Sequence, residues 1–182
     1  MRALNIIVCV DNRGGFSKKG KIPWHFAKDL KRFREITDGH YCIMGRRTYE
    51  EIVEIKKKKS KSKQAVLSPS EPVLPGRESI VLSRNPDYAP AGASVWPGLG
   101  EALDWGCPDT TKEIFILGGD KLFIQAIAET KYVYQTIIDH NYHCDRFFLI
   151  NYLNTKFKIV EGKETTEKKK TLYFTKWERV VR

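Results

Sequence analysis

Residues Glu113 to Ala128 read EIFILGGDKLFIQAIA. After Glu113 the next four form an apolar run rich in β-branched and aromatic side chains, with no polar alternation; such a run suits a strand buried on both faces. Two glycines, Gly118 and Gly119, end it, and the segment from Asp120 to Ala128 has helical spacing and length. A strand that runs through a glycine pair into a helix is the repeating step of an α/β fold. The same alternation extends in both directions. Leu4 to Val10, Tyr41 to Met44, Ser79 to Ser83, Ser94 to Trp96 and Val133 to Ile138 read as further strands. Phe26 to Ile36, Arg47 to Ile55 and Gly100 to Trp105 supply the helices between them. After Val133 no clear helix follows: 145–160 and 171–181 read as strands joined by a polar loop, Glu161 to Lys170. The expected fold is therefore α/β, one domain over residues 1–182. It has a mostly parallel central sheet, flanking helices and an antiparallel C-terminal edge.

A chain of 182 residues with 41% hydrophobic and 12% aromatic side chains can bury a core and is not a disordered segment. No apolar run reaches the length of a membrane span, so no membrane partner is expected. The N-terminus lacks a long apolar region with a cleavage site, so no signal peptide is expected either. Cys9, Cys42, Cys107 and Cys144 have no CxxC spacing, which fits reduced thiols in a cytoplasm (the host's cytoplasm if the lineage is viral). The group His140, His143, Cys144 lacks a clear fourth ligand, and no metal site is expected. The net charge of +10 invites a nucleic-acid reading, but six lysines of that surplus crowd into Lys56 to Lys63, KKKKSKSK. Residues 56–72 have no periodicity and read as an inserted, flexible basic loop.

The stretch Gly20 to Thr37, GKIPWHFAKDLKRFREIT, carries the chemistry. Phe26, Leu30, Phe33 and Thr37 form an inward stripe, and Asp29 projects from its edge. A carboxylate so placed is desolvated and needs a partner, or its pKa rises. Lys28, Lys31 and Arg32 read as the polar face, pointing elsewhere. A structural pairing of Asp29 is as good a reading from helix position alone.

Context separates the two readings. Pro23-Trp24-His25, Asp29 on the next helix, Ile43-Met44-Gly45-Arg46-Arg47-Thr48, Leu74-Pro75-Gly76-Arg77 and Ile116-Leu117-Gly118-Gly119 occur in that order. The ordered set, from about Leu4 to Thr136, resembles dihydrofolate reductase. The resemblance implies NADPH-dependent reduction of 7,8-dihydrofolate to 5,6,7,8-tetrahydrofolate by hydride transfer to the pterin ring, in support of one-carbon and thymidylate metabolism. Antifolates are then expected ligands. It implies catalytic roles for Asp29, which would hold the pterin and favour its protonation, and for Trp24 beside the hydride-transfer site. Ile7, Leu30, Phe33, Ile52 and Leu74 would line the substrate pocket. Thr136 would bond Asp29, and Arg77 would clamp the α-carboxylate of the glutamate tail.

On the cofactor side the resemblance implies Cys9, Gly15 and Phe16, then Gly45, Arg46, Arg47 and Thr48 at a strand-to-helix step suited to phosphate. Ser83 and Arg84 would grip the 2′-phosphate. Leu117, Gly118, Gly119, Asp120, Lys121, Leu122 and Phe123 would complete the site, with a cis peptide between the glycines. This is not the dinucleotide fingerprint, since Gly98-Leu99-Gly100 lacks the remaining spacing. The chain departs from the family at Asp120, an acid where pyrophosphate is expected, with Lys121 available to offset it. It departs again at Phe123, where a tyrosine is usual. The segment Asn12 to Lys21 aligns with the family's mobile loop.

Two alternatives share the fold. Pyrimidine reductases of riboflavin synthesis are not expected to carry Trp24, Asp29 and Arg77 together. A basic structural or nucleic-acid-binding protein would rest on the Lys56–Lys63 run, and its binding would fall steeply with salt; nucleic acid is not the expected partner. A monomer is expected.

Overall fold

The computed structural model describes residues 3–59 and 72–180. Its core is an eight-stranded sheet in the order β5-β4-β3-β6-β1-β7-β10-β9. The strands are β1 (Leu4–Asp11), β3 (Tyr41–Gly45), β4 (Glu78–Leu82), β5 (Ser94–Trp96), β6 (Ile114–Gly118), β7 (Tyr132–Ile138), β9 (Phe157–Glu167) and β10 (Lys170–Arg179). Strands β1 and β3 to β7 pair in parallel; β10 and β9 add an antiparallel edge. Ile6, Cys42, Ile43, Met44 and Ile116 in the central strands are fully enclosed, as continuous apolar runs in a parallel sheet require.

Among the described residues five helices connect the strands: α1 (Ala27–Thr37), α2 (Arg46–Lys59), α3 (Leu99–Asp104), α4 (Asp120–Ala126) and α5 (Ile150–Lys156). Helix α1 stops where Gly39 turns to φ +76 and its N–H bonds the carbonyl of Gly76 at 2.7 Å. At the other end no side chain of its own segment caps it. The Glu167 carboxylate at the end of β9 instead accepts from the N–H groups of Ala27 and Lys28, at 2.8 and 2.9 Å. Among the described residues no helix is long and apolar enough to cross a membrane.

Three expectations change, and one segment gains detail. Lys56 to Lys59 are the last turn of α2 and not loop, because Ile52 and Val53 of the helix pack against the core and extend it into the lysines; residues 60–71 of the expected insertion lie outside the described residues. The polar loop Glu161–Lys170 is mostly strand β9, closing through Lys168 and Lys169, both at positive φ, into β10. The segment 145–160 contains α5, whose single buried turn around Leu153 is too short to show a helical period. Within Asn12–Lys21, β2 (Gly15–Ser17) pairs with β8 (Arg146–Phe147).

Candidate active site

From β3 the chain passes through α2 to β4 on one side; from β6 it passes through α4 to β7, beyond β1 on the other. The loops leaving β3 and β6 therefore diverge, and open a crevice at the carboxyl ends of these strands. Cys9, Gly45, Ser83, Gly118 and Thr136 all stand at that end, on or just beyond β1, β3, β4, β6 and β7.

Asp29, in the first turn of α1, lies over β1 and β7. Burial raises the pKa of its carboxyl; the Thr136 hydroxyl, the Arg32 charge and the Cys9 thiol work against that rise, and Glu167 adds slightly to it. Burial, then the Asp29 charge, holds the Cys9 thiol well above its usual range, so it stays protonated and donates to the carboxylate. Trp24 also bonds Cys9 and packs its ring 4.9 Å from that of Tyr142. Arg32 does not point away as the polar face of α1. Its guanidinium donates to the Gln135 carbonyl (3.1 Å), the Thr136 hydroxyl (3.0 Å) and the Thr175 carbonyl (2.8 Å), over the Phe174 ring. Helical spacing put Arg32 on the solvent side, but a long side chain can fold back across an adjacent sheet edge.

Along the cleft between α1 and α2, Phe33, Ile36 and Ile52 pack against the core cluster of Ile7 and Leu74. Leu30 is the exception to the inward stripe: it is 42% exposed. At the far end Arg77 is only 9% exposed. Its Nη1 reaches the Thr37 hydroxyl at 3.5 Å, its guanidinium lies 5.7 Å from the Phe33 ring centre, and its Nε is buried without a hydrogen-bond partner among the described residues. A buried guanidinium with an unused donor is a ready receptor for a carboxylate.

Opposite, the bond Gly118–Gly119 is cis. Gly45 lies against it: a methyl group there would sit 3.8 Å from both the Gly118 carbonyl oxygen and the Gly119 nitrogen. Helix α2 starts at this point with Arg46-Arg47-Thr48 and no acid in its first turn, a positive helix end suited to phosphate. Arg46 lies 3.5 Å from Glu50, Arg47 and Arg84 are exposed, and Ser83 accepts from the Asn85 N–H at 3.2 Å. Asp120 is met by Arg146 from β8 at 2.7 Å, so Arg146, rather than Lys121 alone, offsets its charge. Leu122 and Phe123 are core residues. The Phe123 ring is wedged between Phe16 and Phe148, at 5.6 and 5.2 Å, and closes over Gly118.

Sequence reasoning missed three contributors besides Arg32. Asp11 is 1% exposed and accepts from the N–H groups of Arg13, Gly15 and Tyr142, so it shapes the loop that carries Phe16. Tyr142 backs Trp24, and Glu167 seats the helix that carries Asp29. All three come from contacts over long sequence separations, apart from the Asp11–Gly15 turn, which an Asp four residues before a glycine could have signalled. In the expected metal-poor region, His140 packs edge-on to Tyr142 and meets Lys170 at 3.0 Å. Among the described residues no three metal-ligating side chains converge.

A family model described as dihydrofolate reductase matches residues 3–182. Dihydrofolate reductase type 3 of Salmonella typhimurium is 32% identical over 145 residues, 80% of this chain and 77% of that protein. The Bacillus subtilis (strain 168) dihydrofolate reductase is 29% identical over 170 residues, 93% and 89% of the two chains. Among solved structures, dihydrofolate reductase from Enterococcus faecalis, complexed with NADP(H) and RAB-propyl, superposes with a TM-score of 0.78 at 27% identity, covering 97% of this chain and 96% of that one.

Proposed function

The chain belongs to the dihydrofolate reductase family and reduces dihydrofolate with NADPH, and from that premise we propose how its own residues divide the work. The observation that carries the proposal is a half-buried carboxylate, Asp29, and a buried guanidinium, Arg77, with the apolar side chains of Phe33, Ile52 and Leu74 packed together nearby. Dihydrofolate has matching ends: a pterin edge that offers two N–H donors, and a glutamate carboxylate. The Asp29 carboxylate, short of water, accepts from the pterin edge, and the strength of such a charge-assisted pair depends on that dryness. Arg77 takes the α-carboxylate, while Phe33, Ile52, Leu74 and the exposed Leu30 cover the rings between. Ile7 contributes backbone at the pterin.

NADPH, when bound, supplies the hydride. The positive end of α2 with Arg46, Arg47 and Thr48 would hold its pyrophosphate, Ser83 and Arg84 its 2′-phosphate, and Gly45, Gly118 and Gly119 allow the close approach. Leu117, Asp120 and Lys121 border that crevice, and Leu122 and Phe123 support it from the core. Cys9, Gly15 and Phe16 flank the place where the two rings would meet. Asp29 keeps the pterin oriented and favours the proton on its ring nitrogen, and Trp24 walls that side from bulk water. Every residue of the proposed site comes from one chain and one domain, which supports a monomer as the working unit. Antifolates that present a cationic, two-donor edge to Asp29 are inhibitors on the same reasoning.

The test is NADPH absorbance decay with dihydrofolate, on the wild-type chain and on Asp29→Asn. Turnover by the wild type and a loss of about 10²–10⁴-fold in the variant at neutral pH are expected. A wild-type chain that neither consumes NADPH nor binds methotrexate would sink the reading.

A further inference from the structure

We propose that Arg32 is a positioning residue of this active site, acting on Asp29 through Thr136: by occupying the acceptor side of the Thr136 hydroxyl, it leaves that hydroxyl to donate to the Asp29 carboxylate. The inference rests on the reading that Asp29 holds the pterin. Its basis is hydrogen-bond arithmetic. A threonine hydroxyl has one proton to give and can also accept, so alone it can turn either way. A guanidinium can only donate. Arg32 Nη1 lies 3.0 Å from the Thr136 oxygen, so a donor already fills that lone pair and the proton is free for Asp29, with which Thr136 bonds.

Arg32 is itself fixed. The Gln135 carbonyl and the Thr175 carbonyl hold the other N–H groups at 3.1 and 2.8 Å, and the Phe174 ring lies 4.9 Å away. The guanidinium thus spans α1, β7 and β10, and ties the helix bearing Asp29 to the strand bearing Thr136. Its charge also favours the ionised carboxylate, the second-largest influence opposing burial.

The other titratable groups are few. Cys9 on β1 bonds Asp29 directly, and Glu167 on β9 is the one acid that pushes against its ionisation. Tyr134 on β7 and Glu161 on β9 act on Arg32. Lys176 on β10 is committed to Glu161 at 3.0 Å, and Tyr142 acts on Cys9. Arg32 is therefore the cation that sets the balance at Asp29.

The experiment compares the pH dependence of dihydrofolate reduction in wild type, Arg32→Met, Arg32→Lys, Thr136→Val and the Arg32→Met/Thr136→Val pair, each checked for folding by thermal melting with NADPH bound. Arg32→Gln is the substitute if the methionine variant does not fold. Loss of the guanidinium should move the midpoint governed by Asp29 to higher pH. It should also raise KM for dihydrofolate about tenfold, with kcat changed less, as expected for losing one charge-assisted hydrogen bond. Arg32→Lys should bring the midpoint back toward the wild type. The pair should shift by less than the sum of the two single shifts, since only the direct effect of the Arg32 charge survives without the Thr136 hydroxyl. An unchanged midpoint on loss of Arg32, or a pair that adds both shifts, overturns the proposal. A wild-type chain without activity would overturn the active-site reading instead.

Discussion

Asp29 and Arg77 are both placed where an isolated protein would not put a charge, and each carries a measurable cost for it. For Asp29, burial lifts the folded-state pKa above that of the unfolded chain. Its contribution to stability is thus fully present below the ordinary carboxylate range and is lost as pH rises through the lifted value. Once ionised, the side chain is a net burden on the ligand-free protein, and Asn, with no charge to desolvate, is not. Ligand-free Asp29→Asn should melt about 2–4 °C higher than wild type at pH 7, the change that roughly 1 kcal/mol gives a chain of this size. The gain should shrink as pH falls to about 4. A variant that melts lower at pH 7 would show that the carboxylate is better solvated than its surroundings imply. Arg77 is the complementary case: its buried Nε has no partner among the described residues. Arg77→Leu should weaken folate binding by about 2–4 kcal/mol and leave NADPH affinity nearly unchanged. Titration of both ligands by intrinsic fluorescence checks this, and unchanged folate affinity removes Arg77 from the site.

Helix α1 shows how an element can be legible in sequence while its support is not. Its span is readable from the spacing of Phe26, Phe33 and Thr37, because an amphipathic stripe is a local property. Its start is not, since the cap is Glu167, 139 or more residues downstream. Strand β9, which brings Glu167 there, is hidden for a related reason: almost all its side chains face solvent, and only backbone pairing with β10 makes it a strand. An edge strand studded with Lys158, Glu161, Lys163 and Glu164 is a normal guard against edge-to-edge association, and in sequence it looks like a loop. Helix α5 escaped detection because seven residues span barely two turns. The cap yields a prediction with a definite sign. Despite partial burial, the Ala27 and Lys28 amides and the nearby lysines hold the Glu167 carboxyl below the usual range. Its stabilisation is therefore present above the ordinary glutamate pKa and lost as pH falls through the depressed value. Glu167→Ala should cost about 1 kcal/mol in urea unfolding at pH 7, as for loss of a cap, and converge with wild type in acid. A constant deficit at all pH values would mean that the side chain acts by packing alone.

Across the whole molecule, the site lies where the topology dictates, at the strand ends on either side of the β3–β6 divergence. The ordered motifs made its strand-end residues legible, because each motif is a local turn between a strand and a helix. What sequence could not show is how the surplus of ten positive charges is arranged. Arg77 is buried, Arg146 is spent on Asp120, and the exposed Arg46, Arg47 and Arg84 stand at or just beyond the ends of β3 and β4, where the cofactor is proposed to bind. Six lysines are consecutive or nearly so in sequence, Lys56 to Lys63, from the end of α2 onward. Lysines that do not touch NADPH act on it only through the long-range field, which at physiological salt decays over about 8 Å. They should therefore speed encounter with an anionic cofactor in dilute buffer and do little else. Replacing Lys57, Lys59, Lys61 and Lys63 with Gln removes four of the ten surplus charges. Stopped-flow NADPH association should slow by about 2–5-fold at roughly 10 mM ionic strength and match wild type at about 0.5 M, with kcat unchanged throughout. If the slower association persists at high salt, the run touches the cofactor, and the boundary of the site must be extended to the end of α2.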